Sequence, residues 1–544
     1  MPARVKTASE PSRVSARVQA QPKAEPAAPK PTRGKRKAAD DNDDAPAAKR
    51  GKAAAANEAA PAKKEKAAPK PKTLPKPKVY KDELNEIPTP PAKIRPAQNA
   101  FVFGNTDDGP QLGLGPTVTN ISRPRLHAWI KEAIENGTLG AEKGAGLEQV
   151  CVGAMHSLAI DELGRIWSWG INDEGQLGRV TEGIAGVDKD ELESTITQVE
   201  GLQIDDTETP FRAVQVAAGG SVSVALSEKG EVRCWGSFKW DGLFGFNSST
   251  DAPMKQIVPQ TIPGLETYRF VQVACGVNHV LALTTTGVIL SWGNGEDGQL
   301  GRKILERRKR NALVPDRLHL RNITYIASGN NTCFAIDKDH VVYAWGLNGQ
   351  KQTGVDPEDG GAENVIEHPT RIRALLPDEL GGRHVTQIVS GEGHTLFLLN
   401  DGSVFGCGRT QDNQLGLAAD HPALKTLENY CVPTPVHIRL PDAPTGQDMN
   451  PELPNYDAKD AAGPPSVKIV NLTANSRHNY AVSDEGHVYT WGWGSHHQLA
   501  LGPDAEEQET PTIIRNTVIN SGWKIKSAAA GAFHGVLLAT FSPA

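Results

Sequence analysis

The sequence predicts an all-β fold, a ring of seven repeated units closed by the two ends of the folded region. Three observations predict it. A glycine-led strand recurs seven times, at Gly153, Gly219, Gly276, Gly329, Gly391, Asn475 (in the glycine's place) and Gly531. A second strand, usually closing in Trp-Gly, also recurs seven times, with terminal glycines Gly104, Gly170, Gly236, Gly293, Gly346, Gly408 and Gly492. Finally, 14 residues separate His156 from Gly170, Val222 from Gly236, His279 from Gly293, Thr332 from Gly346, His394 from Gly408 and His478 from Gly492. Such fixed spacing marks an architecture whose units bury their apolar faces on one another.

The first element of the chain is not part of this ring. Of 58 Lys+Arg and 64 Asp+Glu, residues 1–95 hold 23 and 11, a net of +12, which leaves −18 for residues 96–544. The first segment has one aromatic residue, Tyr80, and two of the 54 glycines. It has too little apolar surface to offset the entropy of ordering and is expected to be a disordered basic tail. Lys35-Arg36-Lys37 and Lys49-Arg50-Gly51-Lys52 stand 11 residues apart, the spacing of a bipartite nuclear-import signal for importin. Flexible Lys-Pro-rich sequence also gains affinity for DNA by counterion release, although the acidic Asp40–Asp44 stretch works against this. At 38% hydrophobic residues, the chain has no run approaching the roughly 18 needed to span a membrane. Met1-Pro-Ala-Arg-Val-Lys6 lacks the apolar stretch of a secretory leader. The six cysteines, which form no CxxC pair, are therefore expected to be reduced, buried intracellular thiols.

Residues 96–544 carry the repeats as one domain. Turn sequences such as Asp161-Glu-Leu-Gly164 and Asp484-Glu-Gly486 join the two strands of each unit into a β-hairpin. After most Trp-Gly pairs comes a Gln-Leu-Gly element, as at Gln176, Gln299 and Gln414, with variants at Gln352 and Gln498. The first Trp-Gly-type strand, Phe101-Val-Phe-Gly104, has no glycine-led strand before it, and the last glycine-led strand, Gly531–Ala539, has no Trp-Gly half after it. Together they complete one unit. Closing the ring through it removes the exposed sheet edges that β-rich proteins must otherwise protect.

The unit Gly-x-x-His-x-x-x-Leu…Trp-Gly-x-x-x-x-Gly-Gln-Leu-Gly resembles the repeat of the regulator of chromosome condensation family, over roughly residues 99–541. The resemblance implies a seven-bladed β-propeller that acts as a guanine-nucleotide exchange factor for the GTPase Ran, in the nucleus and on chromatin, with no cofactor. The competing expectation is a propeller adaptor, for example one that recruits substrates to a ubiquitin ligase, without exchange activity. No HExxH, P-loop or GxSxG motif occurs, and Gly293-Asn-Gly-Glu-Asp-Gly298 is followed by Gln-Leu-Gly where a dinucleotide site needs a helix. The five repeat histidines, His156, His279, His394, His478 and His534, are expected to be hydrogen-bonding core residues, since symmetry argues against a catalytic role.

Two segments depart from the repeat. After Gly236 come Ser237-Phe238-Lys239-Trp240-Asp241-Gly242-Leu243-Phe244-Gly245, with three aromatics, no Gln-Leu, and nine residues where eight are usual. An exposed aromatic hairpin invites a partner. The resemblance implies the wedge that engages Ran, through Phe238, Lys239, Trp240, Asp241, Gly242 and Leu243. It also implies Asp107, Asn278 and His534 as GTPase-side positions. Gly220, Asn278 and Gly393 stand where family members often carry acidic residues. The second departure, Arg302–Arg310, places Lys303, Arg307, Arg308, Lys309 and Arg310 in an acidic domain; guanidinium forks suit carboxylate clusters and phosphates. The resemblance implies docking on the nucleosome, through histones and DNA. Residues 125–136 have the pattern of a short amphipathic helix, and the Pro-rich, acidic residues 420–466 are expected to be a long surface loop.

Overall fold

Alternation of apolar and polar residues, punctuated by Gly-containing turns, folds each repeat into a four-stranded antiparallel meander. In the computed structural model, residues 83–542 are described, apart from 107–108, 203–209, 241–242, 250–252 and 443–464. The six uninterrupted blades begin at Leu147, Ala213, Phe270, Ile323, Val385 and Ile469. The seventh takes Trp523–Ala530 and His534–Phe541 from one end of the domain and Asn99–Asn105 and Asn120–Leu126 from the other. The ring is a seven-bladed β-propeller, closed as the unpaired halves of the sequence require.

The constant interval has a direct structural reason. His156 lies opposite Gly170, Val222 opposite Gly236, His279 opposite Gly293, Thr332 opposite Gly346, His394 opposite Gly408 and His478 opposite Gly492. The closing blade reproduces the pair as Gly104 and His534. Each glycine has φ between +98° and +141°. A Cβ there would lie 2.2–2.5 Å from a backbone carbonyl of the facing loop, so only glycine fits.

Three sets of polar bonds tie blade to blade across an otherwise apolar core. Trp169, Trp235, Trp345 and Trp491 are fully buried and donate their indole N–H to the backbone carbonyls of Gln111, Gln176, Gln299 and Gln414 in the preceding blade, at 2.7–3.1 Å. The Gln-Leu-Gly element thus presents an acceptor to the next blade's tryptophan. Gln111-Leu112-Gly113 does so nine residues after Gly104, a copy the sequence pattern did not single out, so nine-residue spacing is not confined to the segment after Gly236. The second set joins the repeat histidines to the following blade. His156 Nε2 lies 2.8 Å from Ser223 Oγ, His279 Nε2 2.7 Å from Ser328 Oγ, His394 Nε2 2.6 Å from Asn479 Oδ1 and His534 Nε2 2.9 Å from Ser157 Oγ. In the third, Gln149, Gln215, Gln272 and Gln387 each accept from and donate to one backbone unit of the next blade's first strand.

Two boundaries differ from expectation. Residues 83–95, counted with the tail, lie on the propeller: Asn85 Nδ2 donates to the carbonyls of Thr284 and Ile323, and the Arg95 guanidinium lies 2.5 Å from the Glu162 carboxylate. Within 420–466, residues Cys431–Ile438 form the fourth strand of the fifth blade, where alternating Val and Pro residues fit an edge strand. Residues 443–464 lie outside the described residues. The helix expected in 125–136 spans Ala128–Asn136, capped by His127 and burying Ile130, Ala133 and Ile134. All six cysteines are free thiols; Cys151 and Cys275 are half-buried, the other four buried.

Candidate partner-binding face

The repeat histidines, with Val222 and Thr332 in their place in two blades, pair with the Trp-Gly glycines at one end of every blade, so the loops that follow Trp-Gly all leave from that face. The second and third blades are neighbours and carry the two departing segments there.

The first is a separate β-hairpin. Ser237 N–H donates to Ser221 O at 2.9 Å, continuing the repeat geometry, and Ser237 Oγ donates to Met254 O at 2.9 Å, holding the exit and return of the segment together. Strands Phe238–Trp240 and Leu243–Gly245 then pair, with Phe238 opposite Gly245, Lys239 opposite Phe244 and Trp240 opposite Leu243. Asp241-Gly242, between the strands, lies outside the described residues, as does Asp107. Asp-Gly is a turn sequence suited to a two-residue hairpin.

Phe238 corrects the expectation of a contact residue. It is 1% exposed and packs against Phe246 with ring centroids 6.5 Å apart, in a core that includes Val222, Val280 and Trp292. It anchors the hairpin. His534 is likewise corrected: it is fully buried and its ring faces Ser157, so a partner has no route to it. Desolvation lowers the pKa of all five repeat histidines, to about 3 for His156, His279 and His478 and about 4 for His394 and His534. They are neutral core residues, and four make the expected hydrogen bonds, while among the described residues neither ring nitrogen of His478 has a partner.

Phe238 and Asn278 meet at Gly293, where a Cβ would lie 3.0 Å from the Phe238 ring and 2.5 Å from Asn278 O. Asn278 O accepts from Asn294 N–H at 2.7 Å, while its side-chain Oδ1 is buried without a partner. One more unmatched group lies here. Trp292 is fully buried, yet among the described residues its indole N–H has no acceptor, because the hairpin segment stands in place of the Gln-Leu-Gly carbonyl. The histidine set is also absent at this seam, where Val222 and Val280 stand in its place. The hairpin is therefore mounted where both of these polar sets are missing, while the Gln215 clamp and backbone bonds such as Gly220 N–H to Val277 O (2.8 Å) and Phe270 N–H to Gly230 O (2.9 Å) still cross the seam.

In the second segment, Arg302 belongs to the scaffold. Its Nη2 donates to Val314 O at 2.9 Å and Ser291 O at 3.2 Å, closing the base of the loop. Arg179 does the same in the first blade through Leu192 O and Thr195 O. Burial lowers the pKa of both guanidinium groups, that of Arg179 to about 10. Beyond Arg302, a 3-10 helix spans Glu306–Leu313 with a break at Arg308. Lys303, Arg307, Arg308 and Arg310 are exposed and Lys309 is half-buried. Arg310 Nη1 also donates to Ser249 O at 3.1 Å, linking the basic loop to the segment that returns from the hairpin. The basic clusters Lys35-Arg36-Lys37 and Lys49-Arg50-Gly51-Lys52 lie outside the described residues.

Known proteins share this arrangement. The RCC1-like domain profile matches residues 99–537. The chain is 35% identical to the "Guanine nucleotide exchange factor SRM1" of Saccharomyces cerevisiae over 75% of its own length and 80% of that protein. It superposes on the structure described as "Kap60 bound to yeast RCC1 (Prp20)" with a TM-score of 0.70 at 32% identity, covering 83% of this chain and 90% of that one. A second structure, of Prp20p from Saccharomyces cerevisiae "and Its Binding Properties to Gsp1p and Histones", gives 0.69 at 32% identity, covering 83% and 93%. By profile, identity and fold, the chain belongs to the RCC1-like domain family.

Proposed function

We propose that this protein is a guanine-nucleotide exchange factor for the small GTPase Ran, that it works in the nucleus on chromatin, and that the hairpin of the second blade is its wedge. The observation that carries the reading is the replacement of one Gln-Leu-Gly element by a two-stranded hairpin, at the cost of an unmatched Trp292 N–H. A propeller that only scaffolds gains nothing from giving up an interblade bond. The exchange activity named for the SRM1 relative and the binding to Gsp1p and histones named for Prp20p support it.

The mechanism needs no covalent chemistry. A GTPase holds its nucleotide through P-loop amides, a lysine and Mg²⁺. A partner that binds the empty form more tightly weakens nucleotide binding by the same factor, because coupling is reciprocal. Phe238 fixes the hairpin's base, and Lys239, Trp240, Asp241, Gly242 and Leu243 are the residues that engage the GTPase beside its phosphate site in this reading. GDP leaves, and GTP then displaces the exchange factor. Asn278 and Asp107 are assigned to the GTPase side on the family resemblance, and the acidic propeller steers a basic partner surface.

Lys303, Arg307, Arg308, Lys309 and Arg310 contact the nucleosome, and the tail clusters serve importin, with DNA contact from the same tail. None of these roles calls on a membrane. The test is release of fluorescent GDP from Ran. The Trp240→Ala, Asp241→Ala double variant is expected to slow release while keeping the wild-type melting temperature. Wild-type release by the folded double variant would remove the wedge assignment, and no acceleration by the wild-type protein would favour the adaptor.

A further inference from the structure

At the end of the blades away from the wedge, each hairpin-turn glycine packs on the first strand of the next blade: Gly230 on Phe270, Gly287 on Ile323, and Gly486 on Lys524 and Ile525. Over two of these seams the chain lays its own segment 84–87. The Leu84 side chain sits at Gly287 and the Ile87 side chain at Gly230. Leu84 and Asn85 N–H donate to Thr285 O at 2.8 and 2.9 Å, and Asn85 Nδ2 bridges Thr284 O and Ile323 O across the seam. The sequence of this region, Asp82-Glu83-Leu84-Asn85-Glu86-Ile87, mixes carboxylates and aliphatic side chains.

The corresponding position over the seam between the sixth and seventh blades is an open cleft of about 360 Å³ beside Gly486. Its apolar part includes Val488, Ile513, Ile519 and Trp523. Arg515 also lines it, and its Nη2 is buried without a hydrogen-bond partner. A cationic donor left unmatched is costly, so the guanidinium favours an anionic acceptor. Exposed Lys524 adds a second positive charge, while the Glu485 carboxylate on the rim faces His487 Nδ1 at 3.6 Å.

We propose that this cleft docks an extended segment of a partner protein in which an aliphatic side chain lies next to a carboxylate. The aliphatic group fills the floor beside Gly486, as Leu84 and Ile87 do at Gly287 and Gly230. The carboxylate pairs with the Arg515 guanidinium and the exposed Lys524 ammonium. The site is independent of the wedge and needs no exchange activity.

The test is fluorescence anisotropy of a labelled peptide copying residues 82–89, titrated into the full chain. Binding is expected to weaken at least about tenfold in Arg515→Glu and several-fold in the milder Arg515→Gln, and when the peptide's glutamates become glutamines or its leucine becomes aspartate. Hydrogen exchange on the wild-type chain reports location without any variant: protection is expected at 485–488 and 513–525. Equal affinity for Arg515→Glu, changes confined to the Gly230 and Gly287 turns (displacement of the chain's own segment), or no binding at millimolar peptide would overturn the proposal. Ran exchange is measured in parallel and is expected to be unchanged by the peptide.

Discussion

The indole N–H of Trp345 donates to the backbone carbonyl of Gln299 at 3.0 Å across a blade seam, whereas the equivalent Trp292 has no acceptor. Both are fully buried, so Trp→Phe removes similar volume at each. Trp345→Phe also breaks a hydrogen bond, while Trp292→Phe removes an unsatisfied donor. The first is expected to destabilise more than the second by about 1–2 kcal/mol, read as the difference in urea midpoint. Equal losses would mean that Trp292 has found an acceptor.

Gly408 has φ +104°, and an added Cβ would lie 2.4 Å from Gly393 O. Gly408→Ala is expected to cost about 2–3 kcal/mol and lower the melting temperature. Gly183, also at positive φ but with open space around its Cβ position, is expected to lose less on the same change.

Six fully buried histidines, the five of the repeat and His127, set the acid limit of the ring. Their folded pKa values, about 3–4, lie below the ordinary 6.5. As pH falls below 6.5 the unfolded chain takes up protons that the folded chain refuses, so stability falls toward pH 4, by up to about 1.4 kcal/mol per histidine per pH unit. Above pH 7.5 these groups contribute no slope. His478 is a clean probe because neither of its ring nitrogens has a partner. His478→Gln is expected to reduce the acid slope of the melting curve by about one proton.

The basic run after Gly301 divides by role. Arg302→Gln removes the ties to Ser291 O and Val314 O and is expected to destabilise the domain by about 1–3 kcal/mol. Arg307→Glu with Arg308→Glu alters exposed side chains and is expected to leave the melting temperature unchanged while abolishing nucleosome retention in a gel-shift assay. Retained binding would return the loop to a solvated charged surface.

The repeats were legible because symmetry repeats the same physical demand. A glycine is required wherever the Trp-Gly strand meets the loop before the histidine position, and that demand appears seven times, six of them at a fixed interval. The unmatched ends at Gly104 and Gly531 gave the closure for the same reason. The site was less legible. Phe238 reads like its neighbours Lys239 and Trp240, yet it is buried as the hairpin's anchor, and Arg302 reads like Arg307, yet it is scaffold. Residue type does not say which way a side chain points when an element lies outside the repeat.

The sequence by itself determined the all-β repeat, its sevenfold count, its closure and the two places where the pattern breaks, because these are periodic properties of one chain. Only the tertiary structure decided what the breaks do to their surroundings. The lost Gln-Leu-Gly element strands Trp292 in the next blade, 47 residues beyond Gly245. Gly535 leaves His478 without the acceptor that Ser157, Ser223 and Asn479 supply elsewhere. Segment 84–87 covers two seams and leaves a third open beside Arg515. Each is a contact between residues far apart in the chain, and closure of the ring, not local sequence, sets which of them face each other.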